Sequence, residues 1–119
     1  MSRPNLRALE QLGVHRRLAQ DLALVCQALA GKTVLSLSSR ADFAEHERRQ
    51  TLELLQALGL DGFIARPDRI EFASGGAIGF AGTEIRDRLR GASLDVVDGG
   101  HLLPDEWRRW LTSGGGEVW

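Results

Sequence analysis

The residue that most directly suggests chemistry in this chain is an aspartate at the end of a strand-like run. Residues 92–98 alternate as a β-strand does and end on Asp98. A strand that ends in an aspartate is one way in which proteins hold Mg²⁺ beside a nucleotide. Gly99, Gly100 and His101 follow, so no glutamate stands next in sequence to orient an attacking water. Asp98 is therefore predicted as a metal or cofactor ligand, with an ordinary solvated or turn-capping carboxylate as the alternative.

Two short basic clusters are candidates for contact with phosphate or nucleic acid. One contains Arg16 and Arg17, and the other contains Arg88 and Arg90. Arginine suits this role because its guanidinium matches phosphate oxygens in charge and geometry. Acidic neighbours such as Asp87 leave open the alternative that each cluster is a solvated charged face.

Length and composition predict one small domain. The chain has 119 residues, of which 43% are hydrophobic, and its net charge is -1. These values are typical of a globular protein and give no overall positive field that would attract nucleic acid. We expect a single domain over residues 1–112 and a flexible C-terminal tail over residues 113–119, where glycines cluster. No apolar run approaches the roughly 20 residues that span a bilayer, so we expect a cytoplasmic protein without membrane contact.

Hydrophobic spacing predicts alternating helices and strands. A helix with apolar residues at Leu18 and Leu29 is followed by a strand, and a second helix ends near Leu58. Two short alternating runs around Gly75 and Gly76 predict a β-hairpin. The last strand precedes a short helix that opens after Pro104. This order predicts an α/β fold with a mostly parallel sheet and a β-hairpin, flanked by helices.

The order of these elements resembles the ATPase domain of phage terminase large subunits. The resemblance extends over residues 21–111 and rests on six segments: Thr33–Ser38, the helix to Leu58, the hairpin Ile70–Ile78, Asp87–Gly91, the strand ending at Asp98 and Leu103–Trp107. It implies a P-loop NTPase core in which Asp98 stands at the magnesium-binding position. It also places Gln20 and Asp21 in the phosphate-binding loop, so that both are candidate cofactor-binding residues.

The chain departs from the terminase pattern at its phosphate-binding loop. Gln20 stands where the family has a lysine, and Ala19 stands where it has a glycine. A phosphate site needs the charge of the lysine and the backbone freedom of the glycine. The run Gly31-Lys32-Thr33 does not replace this loop, because a strand-like run follows it and a P-loop opens a helix.

These observations lead to one leading hypothesis and two alternatives. The leading hypothesis is a phage- or prophage-derived protein of DNA packaging that binds a partner or DNA, has no catalytic residues and needs no cofactor. Packaging proteins, DNA and a second copy of the chain are the expected partners. The first alternative is a weak Mg²⁺-dependent ATPase that uses Asp98 for Mg²⁺ and an arginine such as Arg88 or Arg90 for phosphate. The second is a small protein-interaction module of an unrelated pathway.

Overall fold

The computed structural model describes residues 16–84 and 93–119 of the chain. Over these residues the fold is α/β, and helices and strands follow one another as the hydrophobic spacing predicts. A single turn of 3₁₀-helix, Gly100–Leu102, follows the fifth strand. The elements are α1 (Arg16–Leu29), β1 (Thr33–Ser38), α2 (Ala41–Ala57), β2 (Phe63–Ala65), β3 (Arg69–Phe72), β4 (Ala77–Gly82), β5 (Val96–Asp98), α3 (Asp105–Ser113) and β6 (Glu117–Val118).

The six strands of the described residues form one mixed sheet in the order β2-β3-β4-β1-β5-β6. Neighbours in the part β4-β1-β5-β6 are parallel, whereas β2-β3-β4 is antiparallel. The predicted hairpin is β3 and β4, with Ile70 opposite Ile78. The prediction of a mostly parallel sheet therefore holds for one end only. The other end is antiparallel because β2 adds a third strand to the hairpin.

Side chains on the two faces of β1 separate the molecule into three layers. Val34 belongs to a core with buried residues of α1 and α2, such as Leu24 and Leu55. Leu35 and Leu37 belong to a second core on the other face, which α3 covers. Because successive strand residues point to opposite faces, α1 and α2 lie on one side of the sheet and α3 lies on the other.

The junction between α1 and β1 is held by close backbone packing. Gly31 has a positive φ of 88° and follows α1, and Thr33 begins β1. The Gly31-Lys32-Thr33 run is therefore a helix-to-strand turn and does not open a helix, as the sequence predicts. Ser74 Oγ donates a hydrogen bond to the Ala28 carbonyl (2.8 Å), which ties the hairpin turn to the end of α1.

The prediction of a flexible tail over residues 113–119 is wrong. Ser113 is the last residue of α3, and Glu117–Val118 forms β6 beside β5. Trp119 is 7% exposed and packs in the core that α1 and α2 cover. The glycines after Ser113 form a turn that returns the chain to the sheet, so they do not mark the end of the folded part.

Candidate functional site

Asp98 ends a strand at the centre of the parallel part of the sheet. Val96 pairs with Val34 of β1, and Asp98 pairs with Ser36. Both valines lie in the core beneath α1 and α2, so Asp98, two residues beyond Val96, points to the same layer. The side chain is almost covered, since Asp98 is 8% exposed. A carboxylate this buried needs hydrogen-bonding partners, and α1 supplies them.

Helix α1 brings three polar side chains to this position. Arg17, Gln20 and Asp21 are three and four residues apart and therefore share one face of the helix. Gln20 Nε2 donates a hydrogen bond of 2.6 Å to Asp98 Oδ1. Arg17 Nη1 lies 3.8 Å from Asp98 Oδ2. The structure thus brings Gln20, Asp21, Arg17 and Asp98 together, as their assignment to one site requires.

Helix α2 adds Glu47, a residue that the sequence analysis did not single out. Arg17 Nη2 lies 2.5 Å from Glu47 Oε2 and 3.1 Å from Asp21 Oδ1. The Glu47 side chain is 17% exposed. Its position could have been predicted, because it falls on the stripe of buried α2 residues Ala44, Thr51 and Leu55.

We call these five residues the Asp98 cluster: Arg17, Gln20, Asp21, Glu47 and Asp98. The cluster contains three carboxylates and one guanidinium, so it carries net negative charge when all groups are ionised. Burial raises the pKa of Asp21 to about 6. Arg17 opposes this effect, whereas the neighbouring Glu47 and Asp98 add to it. Asp21 therefore changes its charge near neutral pH.

One acceptor of the Asp98 cluster is unused. Gln20 is 7% exposed, and its Oε1 atom has no hydrogen-bond partner among the described residues. The Nε2 atom of the same amide contacts Asp98, which fixes the orientation of the amide because only the nitrogen can donate to a carboxylate. The cluster therefore has more acceptors than donors.

Asp95 and His101 lie near Asp98 in sequence but occupy other parts of the fold. Asp95 Oδ2 accepts a hydrogen bond from the Thr33 amide (2.8 Å), at the opposite ends of β1 and β5. His101 is exposed on the 3₁₀ turn. Arg88 and Arg90 lie outside the described residues, and Arg16 begins α1, where its side chain is not described. Over residues 16–84 and 93–119, no group of three or more His, Cys, Asp or Glu side chains is arranged to hold a metal ion.

Two further findings concern the helices as possible membrane spans and the similarity of the chain to known proteins. None of the helices in the described part of the chain has both the length and the apolar character that crossing a bilayer requires. Comparisons with protein-family models, with curated proteins and with solved structures found no match to this chain. The resemblance to terminase ATPase domains accordingly stays a prediction that rests on the order of the elements.

Proposed function

We propose that this chain is a phage- or prophage-derived protein of DNA packaging, related to terminase large subunits, that acts by binding rather than by ATP hydrolysis. The neighbouring parallel strands β1 and β5 support this proposal, because they place Asp98 next to a helix as a nucleotide-binding framework requires. The resemblance to terminases supplies the biological context. The contacts of Asp98 supply the argument against hydrolysis.

The observation that carries the proposal is the hydrogen bond from Gln20 to Asp98. A magnesium ion at Asp98 would have to displace this amide and also compete with Arg17, which lies 3.8 Å from the carboxylate. Gln20 is neutral and cannot replace the charge of a phosphate-binding lysine. Phosphoryl transfer depends on positioning and charge neutralisation. A site without the phosphate-binding lysine and the water-orienting glutamate therefore catalyses it more slowly by orders of magnitude.

A protein partner agrees better with the charges of the site than DNA does. The Asp98 cluster has three carboxylates around one guanidinium, and the whole chain has a net charge of -1. Net negative charge repels the phosphates of nucleic acid. We therefore place a packaging protein ahead of DNA as the partner.

One observation favours the alternative of a weak nucleotide-binding ATPase. Arg17 is 39% exposed, which would let its guanidinium turn toward a phosphate. In that case ATP would contact Arg17, and Mg²⁺ would bind Asp98. The unused Gln20 Oε1 would then accept a hydrogen bond from a magnesium-bound water.

Calorimetry with ATP and Mg²⁺ separates the two functions. The binding function predicts no heat of Mg²⁺-dependent ATP binding, and it predicts capture of packaging proteins by the tagged chain from its native host. DNA is tested in parallel by gel shift at several salt concentrations. ATP binding that requires Mg²⁺ and disappears in Asp98→Ala would instead support the ATPase. Capture of proteins unrelated to packaging would support an interaction module of another pathway.

A further inference from the structure

We propose that the groove between α1 and α2 binds a partner segment that presents a basic side chain next to an apolar one. This inference rests on the partner-binding function proposed above and names the chemistry of the partner. The groove has a volume of about 380 Å³. Its apolar side is formed by Leu18, Leu54 and Ala57. Its polar side is formed by Asp21, Glu53, Arg17 and Gln50, and we call it the acidic side because two carboxylates there face one guanidinium. We call this surface the α1–α2 groove.

The apolar side of the groove is open to a partner. Leu18 is 40% exposed although it lies on a helix that packs against the sheet. Leu54 and Ala57 are three residues apart on α2 and therefore present a continuous strip to the same groove. Covering such side chains removes apolar surface from water, which favours association.

Charge complementarity selects a basic partner for the acidic side. Asp21 shares Arg17 with Glu47 and Asp98, so one guanidinium faces three carboxylates. Of these carboxylates only Asp21 lines the groove, and Glu53 adds a second one there. A basic side chain that enters the groove from a partner would offset this excess of negative charge.

The Asp98 cluster, which shares Arg17 and Asp21 with the groove, has an unused acceptor at Gln20. This residue is more than nine-tenths buried, and its amide contacts Asp98 within the Asp98 cluster. Its Oε1 atom has no donor among the described residues. Gln20 does not line the groove, so a basic side chain there would act on the cluster through its charge and not through a hydrogen bond to Oε1. The pKa of Asp21 is raised first by burial and then by Glu47 and Asp98, and a basic side chain of a partner would oppose this rise.

An amphipathic helix is the partner segment that combines both properties most simply. A leucine and an arginine one turn apart on such a helix would place an apolar and a basic side chain on one face. Helices of this kind bind in grooves between two helices of a receptor. The α1–α2 groove has an apolar and an acidic side that match this face.

The experiment uses the full chain and a synthetic 14-residue probe peptide with Leu and Arg one helical turn apart on an alanine and glutamine background. Backbone amide shifts at pH 7.5 are expected to change along α1 and α2. Glu53→Gln should weaken binding roughly two- to fivefold, and Asp21→Asn roughly tenfold. Glu106→Gln is the matched control, because Glu106 is exposed on α3, across the sheet. A peptide with Glu in place of Arg should not bind.

Protonation of Asp21 provides a second readout. Peptide binding should weaken between pH 7.5 and 5.5 in the wild-type chain, and Asp21→Asn should remove most of this dependence. Equal weakening by Glu106→Gln and Glu53→Gln, or shifts centred on α3, would overturn the proposal. Groove amides that shift on dilution without peptide would also overturn it, because the occupant would then be a second copy. ATP turnover would count against the proposed function while leaving a positive peptide result intact.

Discussion

At the scale of single residues, Asp98 is a strand-end carboxylate whose partners come from its own chain. Gln20 donates to it at 2.6 Å, and Arg17 lies 3.8 Å away. This arrangement explains how a buried acid is stabilised without a metal ion or a ligand. Through these contacts Asp98 connects α1 to the sheet, and the connection can be measured as a contribution to stability.

A double-mutant cycle measures the contact between Gln20 and Asp98. We expect the Gln20→Ala and Asp98→Ala variants to show a coupling free energy of about 1–3 kcal/mol in chemical unfolding, because the hydrogen bond has a charged acceptor. The exposed pair Arg69 and Glu71 is the matched control and should couple by less than about 1 kcal/mol. A coupling no larger than that of the control would show that Gln20 and Asp98 do not hold α1 to the sheet.

The pKa of Asp21 makes a prediction about stability. The folded value is about 6, whereas the ordinary value is 3.8, so the folded state binds more protons between these two values. The free energy of unfolding should therefore rise as the pH falls from 7 to 5, by about 1 kcal/mol. Urea unfolding at both pH values measures this change.

The matched variants for this pH dependence are Asp21→Asn and Asp61→Asn. The first should abolish most of the rise, since an amide does not titrate. The second should keep it, because Asp61 is exposed and lies outside the Asp98 cluster. If Asp21→Asn shows the same rise as the wild-type chain, another group is responsible.

At the residue scale, the candidate residues beside Asp98 came from α1, and the neighbouring residue on α2 was not among them. Gln20 and Asp21 were assigned to the site of Asp98 through the family resemblance, and the structure brings all three together. Glu47 was missed although its spacing from Ala44 and Thr51 placed it on a buried stripe. The charged residues beside Glu47 are typical of an exposed segment, whereas the helical period indicates that Glu47 faces the interior.

At the scale of secondary-structure elements, the position of α1 depends on a glycine in the hairpin turn. A Cβ atom at Gly76 would clash with the carbonyl oxygen of Ala28 near the end of α1. We expect Gly76→Ala to lower the free energy of unfolding by about 3 kcal/mol, because the clash is with backbone that cannot move freely. Gly62→Ala is the control, since its Cβ would lie 3.6 Å from the nearest atom. Equal stability of the two variants in urea unfolding would contradict the close packing.

The last strand makes a separate prediction about the C-terminus. Trp119 is 7% exposed in the core, whereas Trp110 on α3 is 41% exposed. Trp119→Ala should lower the free energy of unfolding by about 3–5 kcal/mol, and Trp110→Ala should lower it by about 1 kcal/mol. Thermal or urea unfolding measures both. A Trp119→Ala variant as stable as the wild-type chain would restore the interpretation of residues 113–119 as a flexible tail.

Long elements could be predicted from the sequence, but the short strands β2 and β6 could not. The helices α1 and α2 and the hairpin of β3 and β4 are long enough to show their periods. The strands β2 and β6 have three and two residues, so their side-chain patterns contain almost no repeat. Each is specified by pairing with a strand distant in sequence or by a neighbouring turn, and that information is absent from local spacing.

At the scale of the whole molecule, the three-layer arrangement explains why the site lies where it does. The parallel strands β1 and β5 end at the same edge of the sheet, and α1 and α2 cover the face to which Asp98 points. The α/β class followed from the order of the elements. The antiparallel end of the sheet did not, because strand order depends on tertiary contacts that no local pattern encodes.

The central claim is that the framework around Asp98 binds a partner and does not turn over ATP. The most direct test is Mg²⁺-dependent ATP hydrolysis by the purified chain, measured beside its Asp98→Ala variant. We predict the same background rate for both proteins, because Gln20 and Arg17 already contact the Asp98 carboxylate. Turnover above background that the Asp98→Ala substitution abolishes would contradict it.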